Sequence, residues 1–203
     1  MPLIKYNNQS LSSLTALPSA IPTGKLKLIS SQTASNSASI SFTSGLNSTY
    51  KVYKFVFVNI RPATDAVKFQ FNMSTDSGSN YNVTKTTTYF SAYAYESDAG
   101  AGLTYDSGND LAQSTSDQPL SHYVGNGSDE STSGSLQLFN PASTTYVKHF
   151  ISNCNQYRAD NITENDYSAG YGNTTSAVNA VRFQFSSGNI SAGTIYLYAI
   201  DNS

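Results

Sequence analysis

Two histidines, one cysteine and 13 acidic residues carry most of the chemistry this 203-residue chain could perform. His149 stands in Tyr146-Val147-Lys148-His149-Phe150, a stretch that reads as a strand, where a histidine is expected to be structural. His122 falls in a long polar segment, read as a loop. A nucleophilic triad needs a serine, a histidine and a carboxylate converging in space. Serine is abundant here, but no strained Gly-X-Ser-X-Gly elbow occurs. Glycosidase chemistry needs two carboxyl groups set a few ångströms apart. The carboxylates of this chain fall almost all in turn-rich segments, where they are expected to be solvated. The expectation is a protein that is not an enzyme and needs no cofactor.

Oxygen-rich clusters are the remaining route to metal chemistry. Asp106, Asn109 and Asp110 form one, Asp160, Glu164 and Asp166 another, and Asp129-Glu130 a third. Calcium takes such ligands. None of the clusters has EF-hand spacing, and Asp and Asn also close turns through their own backbone. No metal is expected; Asp106, Asn109 and Asp110 are the calcium set to inspect. Cys154 is the lone cysteine, so neither an intrachain disulfide nor a cysteine metal cluster can form.

Tyrosines are the third group. Tyr89, Tyr93, Tyr95 and Tyr105 cluster in one region, and Tyr167 and Tyr171 lie near Asn165 and Asn173. Rings stack on sugar faces and amides bond hydroxyls, and the same surfaces make protein contacts. These six are the expected glycan or subunit contact, the subunit contact being the preferred reading.

The elements that must hold these residues are strands. Ala-Val-Lys/Arg-Phe-Gln-Phe occurs at Ala66–Phe71 and again at Ala180–Phe185. Period-two alternation marks a strand with one wet and one buried face. Phe69, Phe71, Phe183 and Phe185 are therefore expected in the core, and Lys68, Gln70, Arg182 and Gln184 outside. The body starts at Lys25-Leu26-Lys27-Leu28-Ile29. Further strands are expected at Ala38–Thr43, Tyr50–Ile60, Ala66–Ser74, Thr88–Glu96, Ser135–Asn140, Thr145–Asn155, Asp166–Asn173, Val178–Ser186 and Thr194–Ile200. Turn signals such as Asp76-Ser77-Gly78 and Ser187-Gly188-Asn189 separate them. Ser97–Gly134 is expected to be a long polar loop packed over one end or against a neighbour. No stretch keeps 3.6-residue spacing for three turns. The fold class is all-β: an antiparallel two-sheet jelly-roll sandwich over 25–203, with an extended N-terminal arm over 1–24.

The arm carries Leu3, Ile4, Leu11, Leu14, Leu17 and Ile21 among Ser and Pro. It has too little apolar area to fold alone, so these six are the expected partner-binding residues. Composition restricts the partners further. Charged residues are only 12% and the formal net charge is −2. No Lys/Arg cluster exists, which argues against nucleic acid. No apolar run approaches membrane-spanning length. Met1-Pro2-Leu3-Ile4-Lys5 does not open a secretion signal, so synthesis in a reducing cytoplasm is expected. Eight Asn-X-Ser/Thr triplets, from Asn8 to Asn189, follow from a chain rich in Asn, Ser and Thr and are not read as glycan acceptors.

Several stretches then resemble a family. They are Ser39-Ile40-Ser41-Phe42-Thr43-Ser44-Gly45, Tyr53-Lys54-Phe55-Val56-Phe57-Val58-Asn59-Ile60, Phe139-Asn140-Pro141-Ala142-Ser143-Thr144-Thr145, Lys148-His149-Phe150, Asn173-Thr174-Thr175-Ser176-Ala177, and Phe185 through Ile195. From about Lys25 to Ile200 the chain resembles the small jelly-roll virion proteins of marine tailed phages, including those of cyanobacteria. The resemblance implies a structural virion component and transfers no functional residue. The expectation is a capsid decoration or cement protein on the virion surface, made in the host bacterial cytoplasm. It would be a homo-oligomer, preferably a trimer, anchored by its arm to major capsid or tail proteins. A tail-fibre or appendage module recognising host glycans is the alternative, and a free carbohydrate-binding domain the second alternative.

Overall fold

The computed structural model describes residues 26–200. The arm, with Leu3, Ile4, Leu11, Leu14, Leu17 and Ile21, lies outside the described residues. Twelve strands follow in order: β1 (Leu26–Thr33), β2 (Ile40–Phe42), β3 (Val52–Pro62), β4 (Val67–Ser74), β5 (Lys85–Tyr95), β6 (Ala101–Tyr105), β7 (Gln118–Val124), β8 (Thr132–Phe139), β9 (Lys148–Tyr157), β10 (Ile162–Gly172), β11 (Ala180–Phe185) and β12 (Ile190–Ile200). The described residues contain no helix. Two antiparallel sheets form a β-sandwich: an eight-stranded sheet ordered β1-β12-β3-β8-β9-β10-β5-β6, and a four-stranded sheet ordered β2-β11-β4-β7.

The repeated hexapeptide makes the centre of the small sheet. β4 and β11 pair with Phe71 opposite Phe183 and Phe69 opposite Phe185. All four rings are buried, as their alternation predicts. Phe183 is the hub. Its ring lies 5.1 Å from Phe55 and 5.1 Å from Phe57 across the sandwich. On its own sheet it meets Phe42, Phe69 and Phe71 at 6.0–6.4 Å. The edge-to-face arrangements to Phe55 and Phe57 suit the ring quadrupoles and add to the area buried. Lys68, Gln70, Arg182 and Gln184 face outward and are half-buried.

The Ser97–Gly134 expectation needs correction. That segment holds β6, β7 and the start of β8, and β7 is an edge of the small sheet. Its residues Gln118-Pro119-Leu120-Ser121 are all buried, so no alternation shows. Pro119 is tolerated because an edge strand needs donors on one side only. His122 accordingly lies on a strand, not in a loop.

The large sheet has twice as many strands as the small one, and this positions the candidate site. One face of β12, β3 and β8 covers the aromatic core. The same face of β9, β10 and β5 is covered chiefly by β7 and the segment before it. Among the described residues, nothing packs over the opposite face of the eight-stranded sheet.

Phe183→Ala should lower stability by about 3–5 kcal/mol, the usual loss for a buried ring. Lys68→Ala, on the outer face, should stay within about 0.5 kcal/mol. Urea unfolding followed by circular dichroism measures both. Equal midpoints for the two variants would refute the hub.

Candidate functional site

The register sorts side chains into rows across the outer face of the large sheet. One row runs Tyr105 (β6), Phe90 (β5), Tyr167 (β10), Asn153 (β9), Ser135 (β8), each directly opposite the next. Phe90 and Tyr167 stack with centroids 4.8 Å apart and planes 9° apart. The row on one side holds Leu103, Ala92, Asn165 and Asn155; the other holds Thr88, Ala169 and Ile151. Leu103 is 72% exposed, Tyr105 56% and Ile151 55%. Beyond Ile151, His149 lies opposite Tyr171 with ring centroids 6.1 Å apart. Between β8 and β6 this face presents no Lys, Arg, Asp or Glu. The charged residues on these strands, Lys85, Lys148, Glu164 and Asp166, are buried on the inner face.

Two open depressions flank the Phe90–Tyr167 ridge. One, of about 530 Å³, is lined by Thr86, Thr88, Phe139, His149, Ile151, Ala169, Gly170 and Tyr171. Gly170 belongs to the inner side of β10, where a Cβ would come within 2.7 Å of the Thr87 side chain. The other, of about 310 Å³, is lined by Ala92, Ala94, Asn155, Thr163 and Asn165 beside Tyr93. Asn155 Nδ2 donates to Thr163 Oγ1 at 3.1 Å and to the Glu164 carbonyl at 3.0 Å, which holds its amide in place.

Tyr105, Tyr167 and Tyr171 share this face, as a contact surface requires. Tyr89 does not. It is fully buried on the inner face, because strand alternation puts Tyr89 and Phe90 on opposite sides. Tyr93 and Tyr95 follow Tyr89 at two-residue steps and pack on each other at 6.0 Å, on that same side. Phe90, Leu103 and Ile151 replace them in the exposed surface. Counting parity from Tyr89 would have found Phe90; Leu103 sits in a segment read as loop.

Beneath the ridge lies a polar layer. Asp166 is fully buried and accepts from Ser91 Oγ at 2.6 Å, Gln156 Nε2 at 2.5 Å and the His122 backbone at 3.0 Å. Burial, with the charge of Glu164, pushes its carboxyl up to about 6. Glu164 is buried too, which alone would raise it. His122 Nδ1 at 3.7 Å and Arg158 Nη1 at 3.1 Å outweigh that and hold it below the usual range. Burial also pushes the Cys154 thiol up to about 12, so it is not a nucleophile at neutral pH. Asp160, grouped with these carboxylates by sequence, turns outward and pairs with Arg158 at 2.8 Å. The layer joins β5, β7, β9 and β10.

The calcium set is bound up in turn bonds. Asp106 accepts from the Gly108 backbone at 2.8 Å and from Asn109 Nδ2 at 2.5 Å, and Asp110 accepts from the Tyr105 hydroxyl. Among the described residues, no three His, Cys, Asp or Glu side chains stand close enough to hold a metal ion. No family model, curated protein or solved structure matches this chain.

Asp166 makes stability depend on pH. Its folded value, about 6, lies above the ordinary 3.8, so the folded state binds the extra proton. Stability should therefore be greatest below about pH 4 for this group and fall as pH rises through 6. The full swing is about 3 kcal/mol. Asp166→Asn should flatten the slope between pH 4 and 6, and unfolding midpoints across that range check it. A wild-type slope of opposite sign, insensitive to the substitution, would contradict the assignment.

Proposed function

We propose that this chain is a non-enzymatic structural protein of a tailed-phage virion, a capsid decoration or cement protein that associates through the outer face of its large sheet. The observation that carries the reading is that face: its strands from β8 to β6 point no Lys, Arg, Asp or Glu outward, and it is crossed by exposed Leu103, Tyr105, Phe90, Tyr167 and Ile151. A contiguous apolar patch with a neutral polar surround is the surface of a protein contact. The aliphatic Leu103 and Ile151 favour protein over sugar, which needs rings and hydroxyl partners. The virion assignment rests on the sequence resemblance, and so does the trimer.

Jelly-roll topology belongs to the same proposal. Setting aside β1, β12 and the β9–β10 hairpin leaves eight strands. Their orders are β2-β11-β4-β7 and β3-β8-β5-β6, and the chain alternates between sheets at most steps. Eight strands in two four-stranded sheets is the jelly-roll plan. The hairpin would then be an insertion between β8 and β5, and it supplies half of the ridge. Residues 1–24 are the proposed anchor to major capsid or tail proteins.

A glycan-binding appendage module is the second reading. It is favoured by the depression where Asn155, Asn165 and Thr163 stand beside the Phe90–Tyr167 stack.

Sedimentation of the purified chain tests the face. The wild type should be a trimer, and a Leu103→Lys, Ile151→Lys double variant a monomer with unchanged circular dichroism. A monomeric wild type that retains a bacterial surface glycan would favour the second reading. Deleting residues 2–24 should leave a folded body that no longer co-sediments with particles lacking this protein. Full occupancy by the truncated body would show that the arm is not the anchor.

A further inference from the structure

Lys85, the first residue of β5, is fully buried, and so is Asn72 on β4. Lys85 Nζ donates to Asn72 Oδ1 at 2.6 Å and to the Val83 carbonyl at 2.8 Å. Asn72 Oδ1 also accepts from the Met73 backbone N–H at 2.9 Å. On the other side of the carboxamide, Asn72 Nδ2 donates to Asp117 Oδ1 at 2.7 Å and to the Thr115 carbonyl at 3.0 Å. An amine, a carboxamide and a carboxylate thus stand in line in a dry site. Asp117 is itself held by Gln184 Nε2 at 2.6 Å and Arg182 Nη2 at 3.3 Å.

We propose that Lys85 and Asn72 join spontaneously through an intramolecular isopeptide bond, with Asp117 holding the leaving nitrogen. The nitrogen lone pair of neutral Lys85 attacks Asn72 Cγ and forms the Nζ–Cγ bond. The carbonyl electrons move onto Oδ1, where the Met73 N–H stabilises the developing oxyanion. The proton that Nζ sheds goes to Nδ2, which Asp117 holds through its hydrogen bond at 2.7 Å. The Cγ–Nδ2 bond then breaks, the carbonyl re-forms, and the departing group leaves as ammonia. Atoms and electrons balance without an oxidant, metal or cofactor.

The environment brings a fraction of the amine into its reactive, neutral form near neutral pH. Burial pushes the Lys85 ammonium down to about 8, and nearby Arg182 adds to that against the opposing charge of Asp117. A neutral amine carries two hydrogens, and Lys85 has two acceptors, so its lone pair is not needed for holding it in place. Lys148 shows the difference. It is equally buried, but its Nζ meets only the carbonyls of Tyr146 and Thr174, which offer no carboxamide to attack. The proposed bond would tie β4 of the small sheet to β5 of the large one, in a chain whose single cysteine allows no disulfide.

The test is the mass of the full chain after denaturation, followed by tryptic mapping. The expected chain is lighter than its sequence by one ammonia. Trypsin should also fail to cut after Lys85, so that one peptide runs from Phe69 to Lys148. The full sequence mass, with cleavage after Lys85, overturns the proposal. So does an ammonia loss with cleavage after Lys85 intact, which is a succinimide at an asparagine. Lys85→Met should restore the unmodified mass. Asp117→Asn should leave the bond unformed in a folded protein; if that variant does not fold, the wild-type mass still decides.

Discussion

The contact of Phe183 with Phe55 and Phe57 is the interaction on which the sandwich depends. It is where the small sheet meets the large one through rings only, without a polar atom between them. The strands around it repeat its logic: Phe71 meets Phe150 at 4.9 Å, and Phe57 meets Phe69 at 5.2 Å. Rings that bury large areas let a chain with a modest apolar share close a core, because each contact removes more surface than an aliphatic pair would. A core so made is compact in the strand direction but narrow across it. It covers about the width of the small sheet and no more.

That narrowness explains the rest of the architecture. Part of β9, with β10 and β5, extends the large sheet past the aromatic core, and those inner faces need a different covering. The chain covers them with hydrogen-bonded polar groups: Ser91, Gln156, Glu164 and Asp166 against β7. Such a layer holds by directional hydrogen bonds, so its geometry is specific where the aromatic core is only close-packed, although Gln156 Oε1 and Ser168 Oγ within it have no partner. The same extension leaves a broad outer face with no described residue packed over it. The exposed ridge and the buried polar layer are the two sides of one set of strands.

Much of this was legible from residue order. The hexapeptide repeat put four phenylalanines on the correct side, and ten of the strands lie near where alternation and turn signals place them. What escaped was of one kind. β7 has no alternation because its polar residues are buried by partners distant in sequence, such as Ser121 with Thr132 and Gln118 with Thr87. β6 is an exposed edge of Ala, Gly, Leu, Thr and Tyr, whose pattern carries little burial signal. The tyrosines were grouped by proximity in sequence, which ignores that neighbours on a strand point to opposite sides. Tyr89 shows the consequence. The Lys85–Asn72–Asp117 alignment could not be foreseen, since its members lie on β4, β5 and a connecting segment and meet only in the folded chain.

The placement of charge is consistent with the proposed docking face. Few residues are charged, and several of those few are used inside: Lys85, Lys148, Glu164 and Asp166 are all buried. Burying charge in place of apolar groups is a poor route to stability unless each group is matched. Here Glu164 has Arg158, Asp166 has three donors, and each lysine has carbonyl acceptors. The outer face is left neutral by the same allocation. A neutral aromatic face gains little long-range steering, since that comes from net potential. It gains its strength at contact, through area and shape, and that contact is little screened by salt. Short-range, salt-tolerant contact of this kind is what the proposed docking role calls for.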